Sequence, residues 1–303
     1  MLKCFLIMKK LIGFLSFIFS LILLFSCEPG RAENGDLLFG VNEQGQNGGG
    51  TGQTKLLKKM TATNSDGEIS TINYNYNSGI LSSINVDEDG DQIDIFLTYD
   101  KDKLSQMVLN QMDGATIVNT TTNLIYTNGK LTGSTGKMEA GGEEVSRNET
   151  NFTYDTTGKL KMITTSILQE DIDNPGTYIE FSKLVSELLF VGNNISSWKM
   201  TTSVNAPPPF NIPPIVFEVK LSNYDTFKNP LATLPLEFNI AGAHFLVGTN
   251  SVQGLSSNNY KTASVKTDGV GDPVNYVYSY DVDGYPTMAT ASQAVLKYEY
   301  IKR

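Results

Sequence analysis

Cysteine is nearly missing from this 303-residue chain: only Cys4 and Cys27 occur, beside a single histidine, His244, and a single tryptophan, Trp198. Cys4 lies in an N-terminal apolar stretch. The remainder therefore has no pair for a disulfide and no cysteine cluster for a metal. His244 sits in the apolar segment 240–247, and one imidazole cannot build a zinc site without several carboxylates. It reads as a packed or hydrogen-bonded strand residue. No Gly-x-Ser-x-Gly elbow is present to hold a nucleophile. Basic patches are missing too: the formal charge is -9, and a chain of this balance is a poor partner for nucleic acid. Long amphipathic helices are also lacking. The best exception is 180–191, where Phe181, Leu184, Val185, Leu188 and Leu189 recur at helical spacing. Leu188-Leu189-Phe190-Val191 runs straight into Gly192-Asn193-Asn194, as a strand entering a turn would, so helix and strand both stay open there.

What is present begins with an address. Residues 11–25 are apolar, too short for a comfortable transmembrane helix and right for a signal-peptide core. Lys3, Lys9 and Lys10 precede them, and Met8 offers a second start. Leu24, Phe25 and Ser26 lead to Cys27 as in a bacterial lipoprotein signal, with Phe25 bulkier than usual. An uncleaved anchor or an ordinary secretory cut are the alternatives. The expectation is a signal peptide over 1–26 and a palmitate-type lipid attached at Cys27, several acyl chains giving stable anchoring where one is marginal. Residues 27–52, rich in Gly, Asn and Gln, read as a flexible tether. The all-β body would be 53–303, with a subdivision near 205–215. Pro29 after the cysteine does not suggest inner-membrane retention. The expected place is the outer membrane, on the periplasmic or the surface side.

The body is a succession of hairpins. Tyr76, Tyr99, Tyr126 and Tyr154 lie 23, 27 and 28 residues apart. Each leads through a polar turn to Leu81, Leu104, Leu131 or Leu160. Asn128-Gly129, Asp89-Gly90 and Asp283-Gly284 suit positive-φ hairpin turns. Alternation puts Tyr74 with Tyr76, and Tyr276 with Tyr278 and Tyr280, on shared faces. The pattern predicts an all-β fold: an antiparallel meander of repeated hairpins, strongly twisted and curled into a partial barrel. A membrane-spanning barrel is disfavoured, since many segments carry charge or hydroxyls on both faces. The tyrosine–aspartate–glycine–leucine rhythm over 74–162 resembles the YD repeats of large secreted bacterial proteins. It is also similar to Bacteroidota lipoproteins of unknown function with a porin-like curved β fold. That resemblance implies the fold and supplies no catalytic residues; Asp102 stands where its glycine would be, and 163–270 departs from the rhythm.

Asn85, Asp87, Asp89 and Asp91 place oxygens as at the start of a calcium loop, with Gly90 at the sixth position. Phe96 stands where the bidentate glutamate belongs and Gln92 where an apolar residue is usual. The segment therefore reads as an acidic hairpin turn or a weak calcium site. The proline-rich stretch 206–215 is forced into extended or turn conformations. Trp198 and Phe210 at its edges suggest a recognition loop for peptide or glycan, or a crossover within the sheet. The functional expectation is a non-catalytic cell-envelope lipoprotein, binding or scaffolding a carbohydrate or protein. A glycan hydrolase using paired carboxylates is the alternative, marked by a cleft with carboxyls roughly 5–10 Å apart.

Overall fold

A computed structural model describes residues 55–88, 91–113, 116–171, 173–205, 212–245, 252–267 and 271–302. Cys27, Asp89, Phe210 and the segments 1–26 and 27–52 lie outside the described residues. The strands are β1 (Lys55–Asn64), β2 (Ile69–Asn77), β3 (Ile80–Glu88), β4 (Asp91–Asp100), β5 (Lys103–Asp113) and β6 (Thr116–Thr127). β7 (Lys130–Ala140), β8 (Glu143–Tyr154), β9 (Leu160–Glu170), β10 (Tyr178–Val191), β11 (Asn194–Val204) and β12 (Ile215–Ser222) follow. The last are β13 (Thr262–Thr267), β14 (Pro273–Asn275), β15 (Val277–Tyr280), β16 (Pro286–Ala291) and β17 (Ala294–Lys302). Antiparallel pairing joins neighbours in chain order from β1 to β14. It resumes through β15, β16 and β17. β17 then pairs with β1, from Lys55↔Lys302 to Asn64↔Ala294. Between β14 and β15 the chain bends at Tyr276, whose N–H still bonds Lys261 O at 2.8 Å. The result is a nearly closed antiparallel barrel, which leaves few free strand edges for other chains to pair with. The segment open to helix or strand is strand: β10 runs the whole stretch. β11 and β12, on either side of the proline-rich segment, pair with each other in the same sheet.

The tyrosine rhythm builds one end of this barrel by repetition. Tyr76 pairs with Leu81, Tyr99 with Leu104, Tyr126 with Leu131 and Tyr154 with Leu160. Immediately behind each pair the register shifts by one residue, a β-bulge that sharpens twist and curvature. Phe190↔Ile195 and Tyr280↔Pro286 repeat the shift. The bulged residue is usually a hydroxyl: Ser82, Ser105, Thr132, Ser196 and Thr287 each donate to the carbonyl across the ladder. The tyrosine hydroxyl reaches into the preceding unit. Tyr76 donates to Leu57 O at 2.8 Å, and Tyr126 and Tyr154 donate to Leu104 O and Leu131 O at 2.7 Å. Turn chemistry explains the aspartate and glycine. Asp155 Oδ1 accepts from the N–H groups of Thr157 and Lys159, while Gly158 takes φ 87°. Asp281 and Gly284 do the same. Asn128-Gly129 takes φ 50° and 80° at both positions, as a primed hairpin turn requires.

All these turns, together with Lys55 and Lys302, lie at one end, termed the tether end after Lys55, the first described residue. The connections β1–β2, β3–β4 and so on define the far end. The described residues between β12 and β13, 223–245 and 252–261, turn into the barrel. They form a 3-10 turn, Pro230–Thr233, and α1 (Leu236–Phe245). Leu231, Leu234, Phe238 and Ala241 pack with Leu57, Tyr74, Leu81 and Leu104. Ile240, Ala243, Val252 and Tyr260 pack with Leu131, Ile195 and Trp198. One short helix thus contributes to both halves of the core, which places it inside the ring. Leu236 at its start is exposed, but every residue from Phe238 to Ala243 is buried, as in a helix enclosed on all its faces. His244 belongs to its last turn, so the strand expected over 240–247 is corrected to a helix: the run lacks the alternation a half-buried strand would show. Four asparagines stitch this plug. Asn239, for example, donates to Leu231 O at 3.1 Å and Gly254 O at 3.2 Å, and Asn229 to Gln253 O at 2.7 Å.

The outward face carries polar clusters at mid-strand, among exposed apolar side chains such as Phe96, Ile125 and Leu189. Asn75 donates to Asn85 Oδ1 and Asn85 to Asp94 Oδ1, both at 2.6 Å. Lys199–Glu187 and Lys220–Glu218 ion pairs stand at 3.7 Å. A lipid-spanning barrel instead presents an apolar band about 25 Å tall.

Candidate functional site

From mid-height towards the far end, the inward wall of β6–β11 changes from apolar to small and polar. The register sets Thr122, Gly136 and Asn148 in one row, and Ser134, Thr150 and Thr165 in the next. Thr120, Ser146, Ser182 and Ser186 extend the patch, and every polar side chain in it is buried. Gly136 is required here: a Cβ would meet the Asn148 side chain at 2.4–2.8 Å. Thr150 and Thr165 share a hydroxyl–hydroxyl bond of 2.7 Å. Ser134 Oγ, Asn148 Oδ1, Ser186 Oγ and, just below, Trp198 Nε1 have no hydrogen-bond partner. Leaving such a group unsatisfied in the interior costs about 1–3 kcal/mol, so these four positions call for bound water or a polar ligand. Its chemistry is neutral: among the described residues no carboxylate, lysine or arginine is buried.

Sequence alternation could have found this wall. In β8, Ser146, Asn148, Thr150, Phe152 and Tyr154 alternate on the face of the repeat tyrosine, and in β6 Thr120, Thr122, Leu124 and Tyr126 do so. Extending the tyrosine's face by period two shows the hydroxyls pointing inward. The candidates singled out from sequence fall elsewhere. Trp198 does not border a surface loop: it is a core residue in β11, 6% exposed and edge-on to Phe217 at 5.7 Å. Its placement is corrected because β11 alternation turns it inward with Met200. Asn85 and Asp87 are i and i+2 on β3, and Asp91 opens β4 opposite Glu88. Asn85 is engaged by Asn75 and Asp94. Among the described residues no group of three or more His, Cys, Asp or Glu is placed to hold a metal.

Paired-carboxylate hydrolysis needs one carboxyl held protonated, its pKa raised. Every clear carboxylate shift among the described residues runs the other way. Hydrogen bonds from Arg147 and Tyr178 lower Glu144, one from Thr157 lowers Asp155, and one from Asn174 lowers Asp171. Burial works to raise Asp281, but hydrogen bonds from Lys55 and the turn N–H groups outweigh it. Asp281 and Asp283 are both held by Lys55 at 2.6 Å. Raised values belong to the buried phenols: desolvation pushes Tyr99, Tyr126 and Tyr154 up to about 12. These phenols are hydrogen-bond donors at neutral pH.

No family model matches the chain, and no curated protein matches it. Among solved structures, a porin-like protein from Bacteroides vulgatus is similar over 82% of this chain and 99% of its own, with a TM-score of 0.50 and 13% identity. A porin-like protein from Bacteroides uniformis is similar over 81% and 96%, with a TM-score of 0.47 and 14% identity. The likeness to the first establishes a shared porin-like barrel fold.

Proposed function

We propose that this chain is a non-catalytic envelope protein, lipid-anchored through Cys27 at the outer membrane, whose barrel binds a hydroxyl-rich ligand of the carbohydrate class. The observation that carries the reading is the neutral polar wall with its four unpartnered buried groups. Serine, threonine, asparagine and indole N–H are the donors and acceptors that recognise sugar hydroxyls, and they carry no charge to drive acid–base chemistry. The plug and the charged outward face support the rest: a barrel filled by its own segment is no open channel, and ion pairs at mid-strand do not suit lipid. The attachment then falls to the lipidated cysteine.

Trp198, the only tryptophan, reports on the wall directly. Titrating the full chain in detergent with a panel of oligosaccharides is expected to give a saturable change in its emission with at least one. Asn148→Ala and Ser186→Ala are expected to weaken that binding about tenfold each, the loss of one or two hydrogen bonds. No saturable change across the panel would overturn the carbohydrate reading. Labelled palmitate incorporated equally by the parent and by Cys27→Ala would overturn the anchor.

A further inference from the structure

We propose that the tether end of the barrel rests on anionic phospholipid headgroups, so that the body stands end-on at the membrane with its far end outward. This rests on the lipid anchor proposed above. Charge is segregated along the barrel axis. Exposed Lys101, Lys103, Lys130, Lys161, Lys261 and Lys302 stand beside the turns and strand ends of the tether end. Asp100, Asp102 and Asp155 share that end, and Asp281 and Asp283 are taken up by Lys55. The far end is the reverse. Its connecting segments, 65–68, 89–90, 114–115, 141–142, 171–177, 205–214, 268–272 and 292–293, contain no lysine or arginine in the sequence. Asp66, Glu68, Glu143, Glu170, Asp173 and Asp272 are exposed there. The nearby guanidinium of Arg147 is bound by Glu144 at 2.7 Å.

The chain enters the barrel at Lys55, on the basic end, so a tether anchored in lipid brings that end to the surface first. A lysine close to an anionic leaflet contributes about 1 kcal/mol, fading over a Debye length of about 8 Å at physiological salt. Several lysines on one rim, with acids at the opposite rim, give attraction at one end and repulsion at the other. Together these turn the barrel upright. The body is acidic as a whole and would otherwise be held away from such a leaflet.

The test places single cysteines, Thr156→Cys at the tether end and Pro175→Cys at the far end, in the lipidated full chain, and attaches a fluorophore to each. The chain is reconstituted in vesicles of phosphatidylglycerol and phosphatidylethanolamine carrying a headgroup quencher. Strands of this length put the far label roughly 30 Å further from the headgroups. Strong quenching is expected at position 156 and next to none at 175. The contrast should collapse in vesicles of phosphatidylcholine, at about 1 M salt, where screening falls to about 3 Å, and in the Lys101→Glu/Lys161→Glu/Lys302→Glu chain. Equal quenching at both sites, or a contrast indifferent to salt and substitution, would overturn the orientation and leave the anchor standing. Failure to remain on the vesicles at all would overturn the anchor as well.

Discussion

The two ends of this barrel are made from the same strands by opposite rules. At the tether end one unit recurs: tyrosine, turn, leucine and, in most copies, a bulged hydroxyl, with the phenols of Tyr76, Tyr126 and Tyr154 bonded to the unit before. Lysines strap the units further. Lys103 lies 5.1 Å from the centre of the Tyr126 ring and donates to Gly129 O at 3.0 Å, and Lys130 lies 3.5 Å from the Tyr154 ring. Such repetition couples neighbours through the same few contacts. At the far end the connections differ in length and carry acids. Exposed apolar side chains occur at both ends, Ile69, Met112, Ile117 and Ile179 at this one and Ile80, Val191 and Val282 at the other. One end is held by repetition; the other varies from hairpin to hairpin.

Substitutions should separate them, beginning where the effect is largest. Leu104→Ala opens a cavity under a repeat tyrosine at a side chain 1% exposed; a loss of about 2–5 kcal/mol is expected in denaturant unfolding. Tyr154→Phe strips the hydroxyl from Leu131 O and should cost about 1–2 kcal/mol. Tyr99→Phe is its built-in control. Tyr99 OH, alone among the repeat phenols of 76–154, is buried with no partner, so removing it should be neutral or slightly stabilising. If both phenylalanine variants lose equally, the phenol bonds are not what couples the units.

Lys55→Met tests the seam. With part of the pair screened by water, the expected loss is about 1 kcal/mol. The hydrogen bonds to Asp281 and Asp283 hold Lys55 above its ordinary 10.5, and that contribution is lost as pH rises through the raised value. Asp281 is held below its ordinary 3.8, so its share is lost as pH falls through the lowered value. The difference between parent and variant should therefore be full near neutrality and shrink at both extremes. Alkali should weaken both chains independently. The buried phenols of Tyr126 and Tyr154 titrate near 12 instead of 10, so the unfolded chain gives up its protons first and stability falls from about pH 10 upward. The smallest effect belongs to the far end: Ile117→Ala, at 52% exposure, should change stability by less than about 0.5 kcal/mol.

Local chemistry was readable where a few residues settle it. Asn128-Gly129 needs positive φ at both turn positions, and Tyr74 and Tyr76 share a face by alternation alone. The serine or threonine after Leu81, Leu104 and Leu131 was also in plain view. Its meaning was not, because a bulge is a relation between two strands. Helical spacing in 180–191 misled in the other direction. A helix would bury Leu188 and Leu189 together, whereas the strand buries Leu188 and turns Leu189 outward at 63% exposure; the pairing of β10 with β9 and β11 decides between them. The apolar segment around His244 looked like a strand for want of context; inside a ring of strands, an unpaired stretch must satisfy its own backbone, and a helix does so. Trp198 stood near prolines in sequence and proved to be core, since proximity along the chain carries no information about which face of a strand a residue occupies.

Composition and period by themselves determined that this is an all-β chain of hairpins without disulfides, with its strand faces and several of its turns set by local sterics. Only the tertiary structure decided that β17 returns to β1, that the segment before β13 folds inward as a plug, and that the hydroxyls of five strands converge on one neutral wall. Those outcomes depend on contacts between residues far apart in the chain, where burial and hydrogen-bond satisfaction across the whole ring outweigh any local preference.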